Sequence, residues 1–109
     1  MSEKRRHPRK LIGIPVAFTL GDGRRIEAVS RDLSIGGMFV LTDTPAPFAS
    51  STPVELFIPA AKQPIRVTAT VRWTQSDGMG LQFGLMGVRD THALTELLRH
   101  APPSPYGEK

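Results

Sequence analysis

Cysteine is absent from all 109 residues, which excludes a disulfide framework and any thiolate metal site. Histidine is scarce: His7, His92 and His100 are too scattered along the chain for a metal cluster or a catalytic triad. No apolar run approaches the length of a membrane span, and no cleavable signal segment follows the basic N-terminus. Paired carboxylates, a P-loop, a dinucleotide-binding loop and internal repeats are all missing. These absences predict a single soluble, cytoplasmic domain that is not an enzyme, with no cofactor, no metal and no membrane partner.

What is present is unevenly placed. The formal charge is +4, and residues 3 to 10 hold five cations against the single anion Glu3. That segment carries the whole excess, since the remaining nine cations and nine anions cancel. A nucleic-acid-binding domain spreads its basic residues over a face or along a helix, so the asymmetry argues against nucleic acid. It points instead to one localised anion contact, set against the plainer reading of a solvated tail.

Behind the arm the chain alternates. Leu11 to Leu20 reads as a strand with Ile12, Ile14, Val16, Phe18 and Leu20 on one face, perturbed at Pro15, which cannot donate to a ladder. Gly21-Asp22-Gly23 predicts a tight hairpin into a second strand over about Arg24 to Arg31. Met38 to Thr42 reads as a third strand, and residues 43 to 52 as a loop pinned by Phe48. Val54, Leu56 and Ile58 mark a fourth. Pro64 to Thr74 is the clearest, with Ile65, Val67, Ala69, Val71 and Trp73 facing one way. Met79, Leu81, Phe83 and Leu85 line a sixth strand, where Gly80 and Gly84 permit close approach from the other face. A single helix, capped by Asp90, carries Ala93, Leu94, Leu97, Leu98 and Ala101 at helical spacing.

Six antiparallel strands in so short a chain predict an all-β fold, a closed six-stranded barrel with one C-terminal helix. The expected organisation is a flexible basic arm over residues 1–10, barrel and helix over 11–101, and a disordered tail over 102–109.

Two short segments carry candidate chemistry. Arg5-x-x-x-Arg9 can wrap a compact ligand, because guanidinium forks match both the O6/N7 edge of guanine and phosphate oxygens. Pro8 stiffens the arm just before Arg9. Asp32-x-Ser34-x-x-Gly37 supplies the complement: Asp32 can accept from guanine N1–H and N2–H₂, Ser34 adds a hydroxyl, and Gly37 removes a Cβ where the chain turns or a base lies close. The same turn also reads as an ordinary loop in which Asp and Ser cap backbone amides.

The arm and the turn together resemble the PilZ domain, a bacterial receptor module for cyclic di-GMP. The resemblance runs from about Lys4 to His100 and includes Val71-Arg72-Trp73 and Gly80-Leu81-Gln82-Phe83. It implies that Arg5 and Arg9 clamp guanines and phosphates, that Asp32 and Ser34 read the bases from the other side, and that Gly37 leaves space. Arg6 becomes an extra cation for phosphate. Lys4 stands where many members have the first arginine of a pair, keeping the charge but losing the fork. The implied output is an arm ordered by ligand, presenting a new surface to an unidentified effector protein. A protein–protein adaptor of the same fold that does not bind cyclic di-GMP is the alternative.

Overall fold

The computed structural model describes residues 9–59 and 61–101. Their elements are β1 (Lys10–Leu11), β2 (Pro15–Thr19), β3 (Arg25–Leu33), β4 (Gly37–Leu41), β5 (Ser51–Leu56), β6 (Ile65–Gln75), β7 (Gly78–Phe83) and α1 (Val88–Arg99). All pairings are antiparallel, in the order β3-β2-β5-β6-β7-β4, and β4 returns to β3. The sheet is therefore a closed six-stranded barrel. β1 is a two-residue addition on the same edge of β3 that β2 occupies further back, pairing Lys10 with Leu33 and Leu11 with Asp32.

Alternation fills the interior. Val16 and Phe18, Val54 and Leu56, and the β6 residues Ile65, Val67, Ala69 and Val71 are buried in one core with Met79 and Leu81 of β7. The intervening Arg66, Thr68 and Arg72 are exposed. Leu94 and Leu98 bring one stripe of α1 into the same core. Burial of each contributes roughly 1.5–3 kcal/mol, enough to hold a short helix whose intrinsic propensity would not.

Several expectations need correction. The first strand is interrupted: residues 12–14 leave the ladder, Pro15–Thr19 pairs with β3, and Val16, Ala17 and Phe18 pair with β5 as well. Phe48 is 68% exposed and pins nothing; Ala46 is the buried residue of that loop. Leu85 lies beyond β7 and is fully exposed. Gly87 rather than Asp90 occupies the N-cap, without a side-chain bond, and Asp90 falls in the first turn, where its charge favours the helix dipole. The hairpin after β2 forms as expected, with Gly23 at φ +92°.

Two bulges interrupt the register of the barrel. Between Ser30 and Asp32 the β3–β4 register slips by one residue, which makes Arg31 the extra residue of a bulge. Between Val71 and Trp73 the β6–β7 register slips likewise at Arg72. Each extra residue reverses the alternation beyond it. Leu33 then pairs with Met38 in the core while Asp32 pairs with Phe39 on the outer face. Trp73, expected to point inward with Val71, pairs instead with Gly80 on the outside.

Candidate functional site

The bulges build one row across four strands. Asp32 on β3 faces Phe39 on β4, Phe39 faces Gly80 on β7, and Gly80 faces Trp73 on β6. A Cβ at Gly80 would stand 2.2 Å from the indole, so only glycine lets Trp73 fold across the row. The indole thereby reaches Phe39, with ring centroids 6.4 Å apart.

Arginines close the row from both ends. Arg9 Nη1 donates to Asp32 Oδ1 at 2.7 Å, and its guanidinium carbon lies 5.4 Å from the Trp73 ring centroid. Arg31 donates to Asp32 Oδ2 through Nε at 3.1 Å and places Nη2 in ion-pair contact with the same oxygen at 3.0 Å, while its guanidinium carbon lies 4.0 Å from the Phe39 centroid. Asp32 has no exposed surface, and Arg9 is 8% exposed. Both carboxylate oxygens are thus already engaged by cations. Arg9 Nε is buried and has no hydrogen-bond partner among the described residues.

The remaining signature residues serve the turn. Ser34 Oγ accepts from the amides of Gly36 at 3.1 Å and Gly37 at 3.2 Å, and the Ser34 amide donates to the Gly37 carbonyl at 2.8 Å. Gly37 opens β4 against β7, where a Cβ would lie 2.1 Å from the Leu81 carbonyl oxygen. Close strand packing alone requires glycine there.

The expected site residues Arg9, Asp32, Ser34 and Gly37 therefore converge at the end of β3 and its turn. Arg5 and Arg6 lie outside the described residues. Arg9 and Lys10 were expected in a flexible arm, yet Lys10 is paired in β1 and Arg9 is held by Asp32. Phe39 leaves no signal in the sequence pattern, and that pattern places Arg31 only at the end of the second strand. The bulge that aims Arg31 leaves no mark in alternation, although a strongly polar Arg-Asp pair ending a strand was a visible irregularity.

Elsewhere, an open groove of about 710 Å³ on the outer face of β2, β5 and β6 includes Ala17, Arg25, Glu55, Arg66 and Leu85, and none of the signature residues. Among the described residues no three metal-ligating side chains converge, and no helix is long and apolar enough to cross a membrane.

The family model for the PilZ domain matches residues 3–100. Among solved structures, the Bacillus subtilis inhibitor of motility MotI/DgrA superposes with a TM-score of 0.74 at 20% identity, over 90% of this chain and 50% of that one. The PilZ domain of YcgR from Escherichia coli, with c-di-GMP, gives 0.72 at 15% identity over 90% of this chain and 91% of that one. PlzA from Borreliella burgdorferi, in complex with c-di-GMP, gives 0.68 at 16% identity over 87% and 41%. This chain thus spans half the length of the Bacillus protein and nearly all of the YcgR domain. No curated protein matches it.

Proposed function

Because this chain belongs to the PilZ domain family, we propose that it is a receptor for cyclic di-GMP, holding the nucleotide between its arginine arm and the turn after β3. The observation that carries this reading is the state of Arg9. Its guanidinium is enclosed, lies over an indole, gives one donor to Asp32 and keeps Nε unpartnered among the described residues. A buried donor without an acceptor costs about 1–3 kcal/mol. An anionic oxygen arriving at that edge removes the cost and gains a charge-assisted bond. The identity of the ligand comes from relatives solved with c-di-GMP.

In this reading Arg5 and Arg9 clamp guanines and phosphates, with Arg6 as a further phosphate contact. Ligand entry is an exchange of partners. Arg9 passes from carboxylate to phosphate, and Asp32 Oδ1 is released to the N1–H and N2–H₂ donors of guanine. The carboxylate stays paired before and after, so no buried charge is left exposed to the low-dielectric interior. Ser34 and Gly37 hold the bend that keeps Asp32 beside the arm. The signal leaves as an altered surface at the arm, offered to a separate effector protein.

A second reading has its own support: Ser34 and Gly37 both have structural duties that need no ligand. In that reading the domain is a protein–protein adaptor that binds no cyclic di-GMP. Calorimetric titration with cyclic di-GMP decides between them. Binding that Arg9→Ala or Asp32→Ala removes supports the receptor. A flat titration, with a partner that co-purifies and survives both substitutions, supports the adaptor. Binding of DNA or RNA with a steep salt slope and indifference to Asp32→Ala would sink both.

A further inference from the structure

We infer that Arg31, which belongs to neither the arm nor the turn signature, is the positioning residue of this site: it holds Asp32 in place while Arg9 changes partners. The inference rests on the receptor reading above. Its grounds are geometric.

Asp32 divides its two oxygens between two arginines of unequal situation. Oδ1 meets Arg9, whose backbone precedes the two-residue β1, whereas Oδ2 meets Arg31 inside β3. Arg31 is the extra residue of the bulge, so its backbone is fixed on both sides by the β3–β4 ladder. Two of its nitrogens converge on the single oxygen Oδ2, and its guanidinium carbon lies over the Phe39 ring, 4.0 Å from the centroid. Phe39 is itself immobilised, being fully buried and seated on Gly78, where a Cβ would approach the ring to 2.7 Å. The supports therefore run without a gap from β7 through Phe39 and Arg31 to the carboxylate.

When Arg9 turns to an anion, Arg31 is the remaining counterion on Asp32 in this arrangement. Without it, a wholly enclosed carboxylate would keep only neutral guanine donors and no cation among the described residues, a more costly state than either end of the exchange. Lysine cannot substitute, since one ammonium cannot place two nitrogens on Oδ2 and a flat face on Phe39 together. The bond to Oδ2 also sets the carboxylate plane, which is what aims Oδ1 at the arm.

The test combines a ligand-free readout with a binding one. Trypsin cleavage after Arg9 reports release of Arg9 and β1, and can be followed by mass against cleavage after Arg99 at the far end of α1. Arg31→Ala is expected to speed cleavage after Arg9 by about tenfold while leaving cleavage after Arg99 unchanged, the loss of one charge-assisted contact. It should weaken cyclic di-GMP by a similar factor of about ten, and by nothing further in an Asp32→Asn background, because it acts through Asp32. Arg31→Lys should restore the melting temperature without restoring the affinity. Unchanged cleavage after Arg9, cleavage at both sites rising in step, or additive effects with Asp32→Asn would each overturn the inference. If the unsubstituted protein binds no cyclic di-GMP, the receptor reading fails. The hold of Arg31 on the arm is then supported by selective cleavage after Arg9 and overturned without it.

Discussion

Trp73 lies so close over Gly80 that the indole Cε2 occupies space 2.2 Å from where a Cβ would be. The contact is the hinge of the outer row, because the same indole meets Phe39 and carries Arg9. Gly80→Ala must therefore push the ring off the sheet. Overpacking of this kind costs about 1–3 kcal/mol. Denaturant unfolding should register that loss, and emission from this sole tryptophan should shift as the ring gains solvent. Unaltered emission with full stability would mean that the ring is not seated as described.

Removing either member of the central ion pair should have unequal consequences. Arg9→Ala leaves Asp32 still paired with Arg31, so a loss of about 1.5–3 kcal/mol is expected, in the range of a hydrogen bond to a charged group. Asp32→Ala leaves two guanidiniums facing each other around an enclosed void, and a loss of about 3–5 kcal/mol is expected. Equilibrium unfolding of the two variants checks the order. The reverse order would show that Arg31 does not carry Asp32 alone.

The barrel was legible in the sequence because alternation is a direct record of which residues face a core. Ile65 to Val71 needed no more than that, and neither did Val54 with Leu56. The site was legible only in part. The arm and turn gave Arg9, Asp32, Ser34 and Gly37, since residue chemistry at fixed spacing survives without coordinates. Phe39 and the placement of Trp73 were not readable, because both depend on register, and a bulge at Arg31 or Arg72 changes register without changing composition. The same blindness put Trp73 in the core and treated Asp32 as part of a bend, although it is paired inside β3. Asp90 shows a local limit: a good capping residue sat three positions too late, and packing of Leu94 and Leu98 chose the helix start.

On the opposite side of the barrel, Glu55 gives the protein part of its acid sensitivity. Arg25 donates to Oε1 through Nη2 at 2.9 Å, and Arg66 donates to Oε2 at 3.1 Å. The hydrogen bond from Arg25 is the main cause holding the carboxyl below its ordinary value of 4.5. A carboxyl lowered by folding contributes stability that is fully present above its unfolded value and fades as pH falls through the folded one. Melting temperature should therefore decline below about pH 4.5 more steeply in the native protein than in Glu55→Gln. The two curves should be furthest apart near neutrality and converge in acid. Parallel curves across that range would remove Glu55 from the account.

Ser30 ties the arm to the barrel where the ladder gives out. Its Oγ donates to the Ile12 carbonyl at 2.7 Å and accepts from the Ile14 amide at 3.0 Å, while its own amide donates to the Ile14 carbonyl at 3.0 Å. One hydroxyl thus satisfies both polar ends of the stretch between β1 and β2, which no strand pairing serves. Ser30→Ala leaves an amide and a carbonyl without these partners next to the buried Ile14, a loss of about 1–3 kcal/mol. Ser30→Thr keeps the hydroxyl and should recover most of it. The location of the damage matters more than its size. Residues 12–14 are the tether of β1, and β1 fixes the backbone beside Arg9, so Ser30→Ala should expose the bond after Arg9 to trypsin before the barrel melts. Loss of global stability with Arg9 still protected would mean that Asp32 and Trp73 hold the arm without help from its tether.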